Sequence, residues 1–270
     1  MNIGITGSTG TLGSFLTKKI PNLIKFKGKI ENKKLVEKWI IKENLDFLIH
    51  LAAIVPVKEV LMSKKKALTI NFKGTKNIVD AINKYSNKKV WIFYSSTSHV
   101  YPCGDKIKKE TDLIKPLNYY GITKQLSENY LNENQDKIIP CIGRIFSFTH
   151  YTQKKDFVIP SIINKLKNKK KNIYFDNLHH FRDFITINDI YLAIKILMLK
   201  KKKGIFNISS GNKICLKDIL LTLNKRYGKK FFYKKNEVET VLYGSNKKLR
   251  KEGWKPLYKN YLHYLEKTKF

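Results

Sequence analysis

Thr6-Gly7-Ser8-Thr9-Gly10-Thr11-Leu12-Gly13 decides the fold of this 270-residue chain. It follows a short apolar run, Asn2–Thr6, that reads as a strand, and it opens Thr11–Ile20, which reads as a helix. Each glycine of such a strand–turn–helix has its own task. Gly7 allows the tight turn, Gly10 lets a pyrophosphate approach the backbone, and Gly13 lets the helix pack against the strand. The unpaired amides at the helix start then face the anion. Glycine turns before helices are common, so the pattern alone is weak. Its place directly after the first strand is what points to a dinucleotide.

Working outward, strand-like and helix-like stretches alternate. Leu23–Phe26, Phe47–Ala52, Val90–Ser95 and Ile138–Phe146 read as apolar strands, and Lys33–Glu43, Ala67–Asn83 and Tyr120–Asn132 as helices. That alternation predicts an α/β fold, a Rossmann-type doubly wound parallel sheet covered on both faces. Beyond residue 150 the pattern loosens into helices at Phe157–Leu166, Ile187–Leu199 and Leu216–Tyr227, a strand at Gly204–Ile208 and a short helical tail. The expected organisation is a dinucleotide-binding Rossmann domain over 1–150. A small C-terminal substrate-binding lobe over 151–270 interleaves with the sheet and lies over the carboxyl ends of its strands.

The carboxylate expected about 20 residues after the glycines, to grip an adenosine ribose, is missing. That region carries Lys25, Lys27 and Lys29, with Glu31 its only acid. Lysine attracts a 2′-phosphate that a carboxylate would repel. NADP(H) is therefore favoured and NAD(H) stays open.

The formal net charge of +33 comes almost wholly from lysine, since arginine occurs only at Arg144, Arg182, Arg226 and Arg250. Charge of that size raises nucleic acid or a membrane surface as partners. The lysines are spread along the chain, however, with short runs at Lys64–Lys66, Lys169–Lys171 and Lys200–Lys203 beside expected helix ends. Arginine forks and aromatic–basic alternation are missing. A solvated lysine surface is the expectation, with no nucleic-acid and no membrane partner. Cys103, Cys141 and Cys215 are too far apart for a CxxC site and too few for a disulfide framework, so reduced thiols and no metal are expected. No apolar run approaches the roughly 18 residues needed to span a bilayer, and the N-terminus opens directly on strand-like residues. A cytoplasmic protein is expected.

Tyr120-Gly121-Ile122-Thr123-Lys124 puts a phenol and an ammonium four residues apart on one helix face. A phenol with an ordinary pKa of about 10 is a poor acid–base group at neutral pH. A nearby lysine charge is expected to lower it, and lysine can also hold ribose hydroxyls. After the Val90–Ser95 strand comes Ser95-Ser96-Thr97-Ser98-His99-Val100-Tyr101-Pro102, a hydroxyl cluster at a strand end. A hydroxyl there can hydrogen-bond the oxygen that Tyr120 protonates. Alone, a tyrosine–lysine pair or a Ser/Thr-rich turn is commonplace; glycine loop, hydroxyls and pair in this order are hard to explain otherwise.

These residues resemble the extended short-chain dehydrogenase/reductase family, through most of the chain. The glycine loop is similar to its T-G-x-x-G-x-x-G, His50-Leu51-Ala52-Ala53 to the strand end under the cofactor, and Asn71-Phe72-Lys73-Gly74-Thr75-Lys76-Asn77 to its N-x-x-G-T-x-N helix. Ser96-Thr97 with Val100-Tyr101, then Tyr120, Lys124 and Glu128, resemble its catalytic segments. The resemblance implies Thr97, Tyr120 and Lys124 as catalytic residues. It implies Gly7, Thr9, Gly10, Thr11, Leu12, Gly13, Leu51, Ala52, Ala53, Asn71, Ser95, Tyr120 and Lys124 around the cofactor. Arg182-Asp183-Phe184-Ile185 with Asp189 resembles the segment whose arginine binds the diphosphate of a nucleotide sugar. Phe206-Asn207-Ile208-Ser209-Ser210-Gly211 and Leu249 to Pro256 also resemble sugar-nucleotide members. Thr97, His99, Ser147 and Arg182 are thus implied around a nucleotide-diphosphate sugar, and pairing of the helices that carry Asn71 and Tyr120 implies a homodimer.

Departures from the pattern narrow the reaction. Ser98 and His99 stand where 4,6-dehydratases of the family carry an Asp-Glu pair, which argues against a dehydratase. The Ser-x-x-Val-Tyr-Pro stretch is similar to GDP-fucose synthase, but His99 aligns with that enzyme's cysteine and Phe157 with its histidine. A double epimerisation is therefore not supported, and His99 remains a candidate single acid–base group. The short cofactor half is similar to dTDP-4-dehydrorhamnose reductases. The expected activity is NADPH reduction of a nucleotide-linked 4-keto sugar, with an epimerase that keeps its NAD as the alternative and a non-catalytic NADP-binding regulator as the rival from another class.

Overall fold

The computed structural model describes residues 1–55, 57–168, 172–233 and 239–268. Five strands, β1 (Ile3–Thr6), β2 (Ile24–Lys25), β3 (Phe47–His50), β4 (Val90–Thr97) and β5 (Ile138–Ile145), join the strand Gly204–Ile208 in one six-stranded sheet. Its spatial order is β2, β1, β3, β4, β5 and then Gly204–Ile208, with every neighbour parallel.

Period-2 side-chain alternation explains why both faces are buried. On one face Phe47, Ile49, Trp91 and Phe93 pack with Leu12 and Leu16 of the first helix, Thr11–Lys19, and with Ile190, Ala193, Ile194 and Leu197 of the helix Ile187–Leu199. On the other, Leu48, Val90, Ile92 and Tyr94 pack against the helices Lys33–Glu43 and Gly74–Tyr85 and against Leu131 of the helix Tyr119–Glu133. A third cluster lies apart, built from the helices Val158–Leu166, Leu216–Asn224 and Tyr261–Lys267 and the small strands around them. Residues 187–208 leave that lobe and return to the main sheet as a covering helix and the edge strand.

The long helix expected over Ala67–Asn83 is three pieces: an α turn at Lys64–Leu68, a π turn at Thr69–Lys73, and the α-helix Gly74–Tyr85. The wide turn holds Asn71, which the site uses. A short helix at Val57–Met62 and several two- to four-residue strands in the lobe were not expected. The lysine run 169–171 lies outside the described residues. Lys64, Lys65 and Lys66 are exposed, and Lys200 and Lys202 pair with Glu252. Cys103, Cys141 and Cys215 are free thiols. Among the described residues no helix is long and apolar enough to cross a membrane, and no His, Cys, Asp and Glu cluster could hold a metal ion.

Candidate active site

The chain runs from β1 outward to β2 and then back past β1 to β3, so the crevice at the carboxyl ends of β1 and β3 is the switch point where such sheets take ligands. Gly7 turns there at φ 68°, and a Cβ on it would meet the Ala52 nitrogen at 2.7 Å. A Cβ on Gly13 would strike the Gly7 carbonyl oxygen and would lie 2.8 Å from Ser8 Cα. Gly10 differs, since among the described residues a Cβ there would meet only the Gly7 oxygen within 4 Å, at 3.5 Å. Gly10 also begins the helix Thr11–Lys19, which has no side-chain cap and no acid in its first turn. The amides of Thr11, Leu12 and Gly13 are thus available to an anion. Leu12 contributes only that amide, because its side chain belongs to the core.

A chain of polar contacts ties this cradle to the tyrosine–lysine helix. Thr6 Oγ1 accepts from the backbone amides of Leu51 and Ala52, both at 3.2 Å, which leaves its hydrogen for His50 Nδ1 at 2.6 Å. His50 is therefore the neutral Nε2–H form, donating to Thr75 Oγ1 at 3.0 Å, and Thr75 donates on to the Asn71 carbonyl at 2.7 Å. Burial, then the Lys124 charge, push its pKa down to about 3, which agrees with that neutral form.

The Asn71 side chain, at the π turn, bonds protein groups on two sides. Its Oδ1 accepts from Ile54 N at 2.7 Å, and its amide donates to Ile54 O at 3.1 Å and Thr123 Oγ1 at 3.0 Å. Thr123 in turn donates to the Tyr120 carbonyl at 2.8 Å. Asn71 thus clamps the loop after β3, with Leu51, Ala52 and Ala53, to the helix that carries Tyr120 and Lys124.

Thr97 is positioned by strand length. β3 ends where His50 pairs with Tyr94, while β4 continues through Ser95, Ser96 and Thr97 against Gly143, Arg144 and Ile145 of β5. Those three residues carry Thr97 roughly 10 Å past the end of β3. The helix Tyr119–Glu133 closes on this overhang because Gly121 has no side chain; a Cβ there would strike the His99 carbonyl oxygen. The Thr97 hydroxyl, which accepts the His99 amide at 3.2 Å, then lies near the Tyr120 phenol, and the Tyr120 and His99 rings meet edge to face at 5.9 Å.

The electrostatics differ from expectation at one point. Lys124 does not lower the Tyr120 phenol. Burial raises it well above the ordinary range, and the nearby Thr97 hydroxyl offsets only part of that. Burial acts on Lys124 too, pushing its pKa down to about 7 against the opposing pull of Glu128. Lys124 is 2% exposed, and its nitrogen lies 4.5 Å from the Tyr94 ring centroid. Among the described residues no acceptor hydrogen-bonds that nitrogen. A buried amine without an acceptor, on the sheet edge that carries the glycine cradle, suits the two hydroxyls of a nicotinamide ribose.

Ser96 does not face the catalytic side. It donates to Glu128, which accepts Arg144 Nη2 at 2.7 Å in a fully buried ion pair. Arg144 Nη1 donates to the Tyr101 hydroxyl at 2.7 Å, and Tyr101 donates to Asn207 Oδ1 at 2.8 Å. This network, of which the family likeness covers Ser96, Tyr101, Glu128 and Asn207 but not Arg144, joins the tyrosine helix, β5 and the edge strand Gly204–Ile208. Ser95 is half-buried opposite Gly143, and Ser147 is half-buried and held through its amide to the Asp183 carbonyl at 3.0 Å.

Arg182 is half-buried and donates to Phe181 O, Thr240 O and Thr240 Oγ1 at 2.7 to 3.0 Å. Asp183 does not pair with it. Its carboxylate takes Ser210 N, Ser210 Oγ, Gly211 N and Gly244 N, consistent with neighbouring strand residues facing opposite ways. Among the described residues no carboxylate pairs with Arg182, whose charge reaches His99. Asn118, which sequence reading passed over, caps the tyrosine helix by accepting Gly121 N at 3.0 Å and contacts His99 Nδ1 at 2.9 Å. Its position just before a helix start was the available signal.

Residues 6–252 match the family model described as GDP-mannose 4,6-dehydratase. The dTDP-D-glucose 4,6-dehydratase of Dictyostelium discoideum is 27% identical, over 80% of this chain and 59% of that protein, so the chain spans less than two thirds of its length. Other curated matches include dTDP-4-dehydrorhamnose reductases and UDP-glucose 4-epimerases. Among solved structures, Thermus thermophilus UDP-glucose 4-epimerase in complex with NAD superposes with a TM-score of 0.85 at 18% identity, over 98% of this chain and 97% of that one. RMD of Pseudomonas aeruginosa, complexed with NADPH, gives 0.86 at 20% identity with the same coverage of both chains. At such identities the structural likeness speaks for the fold, and the match of the family model over nearly the whole chain speaks for descent. The chain belongs to the GDP-mannose 4,6-dehydratase family, within the NAD-dependent epimerase/dehydratase enzymes of the extended short-chain dehydrogenase/reductase type.

Proposed function

We propose that this enzyme reduces the keto group of a nucleotide-linked 4-keto sugar, with NADP(H) as its preferred cofactor. The observation that carries this reading is the setting of Tyr120: a phenol buried beside the strand end that carries Thr97, a burial that raises its pKa. Such a phenol keeps its proton at neutral pH, and a proton donor is what carbonyl reduction needs. Reduced nicotinamide, when bound, is the source of hydride for the carbonyl carbon. Tyr120 gives its proton to the carbonyl oxygen, Thr97 holds that oxygen in place, and Lys124 binds the ribose hydroxyls. The amides of Thr11, Leu12 and Gly13 receive the pyrophosphate. Arg182, without a carboxylate partner among the described residues, receives the substrate diphosphate. Ser98 and His99 supply no carboxylate beside Thr97 to drive a dehydration.

Lys25, Lys27 and Lys29 are exposed around the end of β2, where they favour a 2′-phosphate. Residues 151–270, apart from the returning 187–208 segment, serve as the substrate lobe. Ile122 and Leu126, exposed one turn apart on the tyrosine helix, fit a homodimer contact. The test is incubation with NADPH and a dTDP- or GDP-4-keto-6-deoxyhexose. Cofactor oxidation is expected with at least one of them, and none across a panel of keto sugars overturns the reading.

The same phenol can also remove and return the proton of a 4-hydroxyl, so a 4-epimerase with retained NAD is the second reading, favoured by the UDP-glucose 4-epimerases among the relatives. Mass spectrometry of the purified protein separates the two. Stoichiometric NAD carried through purification points to the epimerase, and freely exchanging cofactor to the reductase.

A further inference from the structure

We propose that His99 is a fixed hydrogen-bond donor to the sugar, presented as its neutral Nε2–H form because Asn118 occupies Nδ1, and that it does not act as a base. The inference deepens the reductase reading and rests on it. Asn118 has two neighbours. Its Oδ1 accepts the Gly121 backbone amide at 3.0 Å as the cap of the tyrosine helix, and its other amide atom lies 2.9 Å from His99 Nδ1. Turning the amide over would set its NH2 against the Gly121 N–H and forfeit the cap. The carbonyl is thus committed to Gly121, the NH2 donates to His99, and Nδ1 is the acceptor. The ring proton then sits on Nε2. Among the described residues nothing hydrogen-bonds Nε2, and the ring lies beside Tyr120 within reach of the Arg182 charge.

A second proton on this ring has to enter at Nδ1, against the Asn118 NH2. The charged and titratable groups facing the ring are Arg182, from the strand Phe181–Arg182, and Tyr120, from the capped helix. Burial first, and the Arg182 charge second, hold His99 below the ordinary imidazole range, and Tyr120 is neutral. Nε2 already carries hydrogen and Nδ1 is blocked, so His99 cannot strip a proton from a carbon beside the keto group. It can only donate to a sugar oxygen. The site therefore changes the carbonyl carbon and leaves the flanking stereocentres alone.

Asn118→Asp tests the lock while preserving the cap, because aspartate accepts from Gly121 equally well. A carboxylate can only accept, so His99 must move its proton to Nδ1. In 15N-histidine spectra of the NADPH-loaded protein, wild-type His99 is expected as Nε2–H, titrating below the ordinary imidazole range. The variant is expected as Nδ1–H, titrating above the wild type because the carboxylate favours the charged ring. Wild-type His99 with a proton on Nδ1, or titrating near the ordinary value, overturns the lock.

The donor role has its own arm. His99→Leu is expected to raise KM for the 4-keto sugar about tenfold with kcat little changed, and His99→Gln, which keeps a donor, to recover most of that. An unchanged KM in His99→Leu overturns the donor. So does deuterium entering the flanking carbons in D2O and lost in His99→Gln. The spectra need no turnover. Correct spectra with no NADPH oxidation would count against the reductase reading and leave the lock standing.

Discussion

Replacing Lys124 with methionine is expected to stabilise the cofactor-free protein while abolishing turnover. The lysine side chain is buried, and its pKa falls from 10.5 to about 7 on folding. At roughly 1.4 kcal/mol per pH unit, that gap corresponds to a cost of about 5 kcal/mol while the folded amine is charged. At pH 7 half of the folded molecules have shed the proton, and the cost is about 4 kcal/mol. Methionine fills a similar volume without charge but loses the contact with the Tyr94 ring, worth about 1 kcal/mol. A net gain of about 2–3 kcal/mol remains, or roughly 5–10 °C in Tm for a chain of this size.

The pH dependence has a definite sign. The folded pKa lies below the unfolded one, so between about 7 and 10.5 the unfolded chain binds the extra proton and stability rises with pH. The penalty is fully present below about pH 7 and shrinks as pH climbs toward 10.5. Thermal melts of both proteins from pH 6 to 9.5 should therefore show the advantage of the variant narrowing, to about half by pH 9. Saturating NADPH should then raise the Tm of the wild type more than that of the variant, because ribose hydroxyls give the buried amine its acceptors. A Lys124→Met protein less stable than wild type at pH 7, or a difference flat across pH, would refute the reasoning.

Tyr120→Phe should retain NADPH binding, measured by cofactor fluorescence, and lose at least about 100-fold in kcat, since only the proton donor is removed. Arg144→Met leaves the Glu128 carboxylate buried without its charge partner and should cost about 3–5 kcal/mol in denaturant unfolding, part of it recovered in Arg144→Met/Glu128→Gln. Gly13→Ala drives a methyl into the Gly7 carbonyl and should destabilise the fold by about 2 kcal/mol while weakening both cofactors alike. Lys25, Lys27 and Lys29 changed together to glutamate should lower NADPH affinity at least about tenfold more than NADH affinity; equal losses would reduce those lysines to solvated surface.

The parts of the fold that were legible in sequence are those set by repetition. Phe47–Ile49 and Val90–Tyr94 bury alternate residues in two different cores, so each reads as an unbroken apolar run, and the helices between them carry a periodic face. The lobe was harder because its strands span two to four residues, too few for a period of two to show, and they are held by partners such as Thr240 for Phe181, far away in sequence. The break at Thr69–Lys73 was invisible for another reason. A π turn shifts the helix face by one residue, and here it aims Asn71 at Ile54 and Thr123.

The candidate site divides in the same way. Spacing placed Tyr120 and Lys124 on one face and Thr97 at a strand end, since those facts follow from 3.6 residues per turn and from strand length. The protonation state of each group depends instead on what surrounds it. Lys124 beside Tyr120 suggested a phenol made more acidic, yet both groups lie in one desolvated pocket, and desolvation opposes charge on each of them. The phenol gains a proton-holding bias and the amine a proton-releasing one. A neutral phenol next to an amine that is charged in only half of the molecules at pH 7 favours giving a proton to a carbonyl over taking one from an alcohol. The direction of the proposed reaction therefore rests on burial, a property of the packed site that four-residue spacing cannot express.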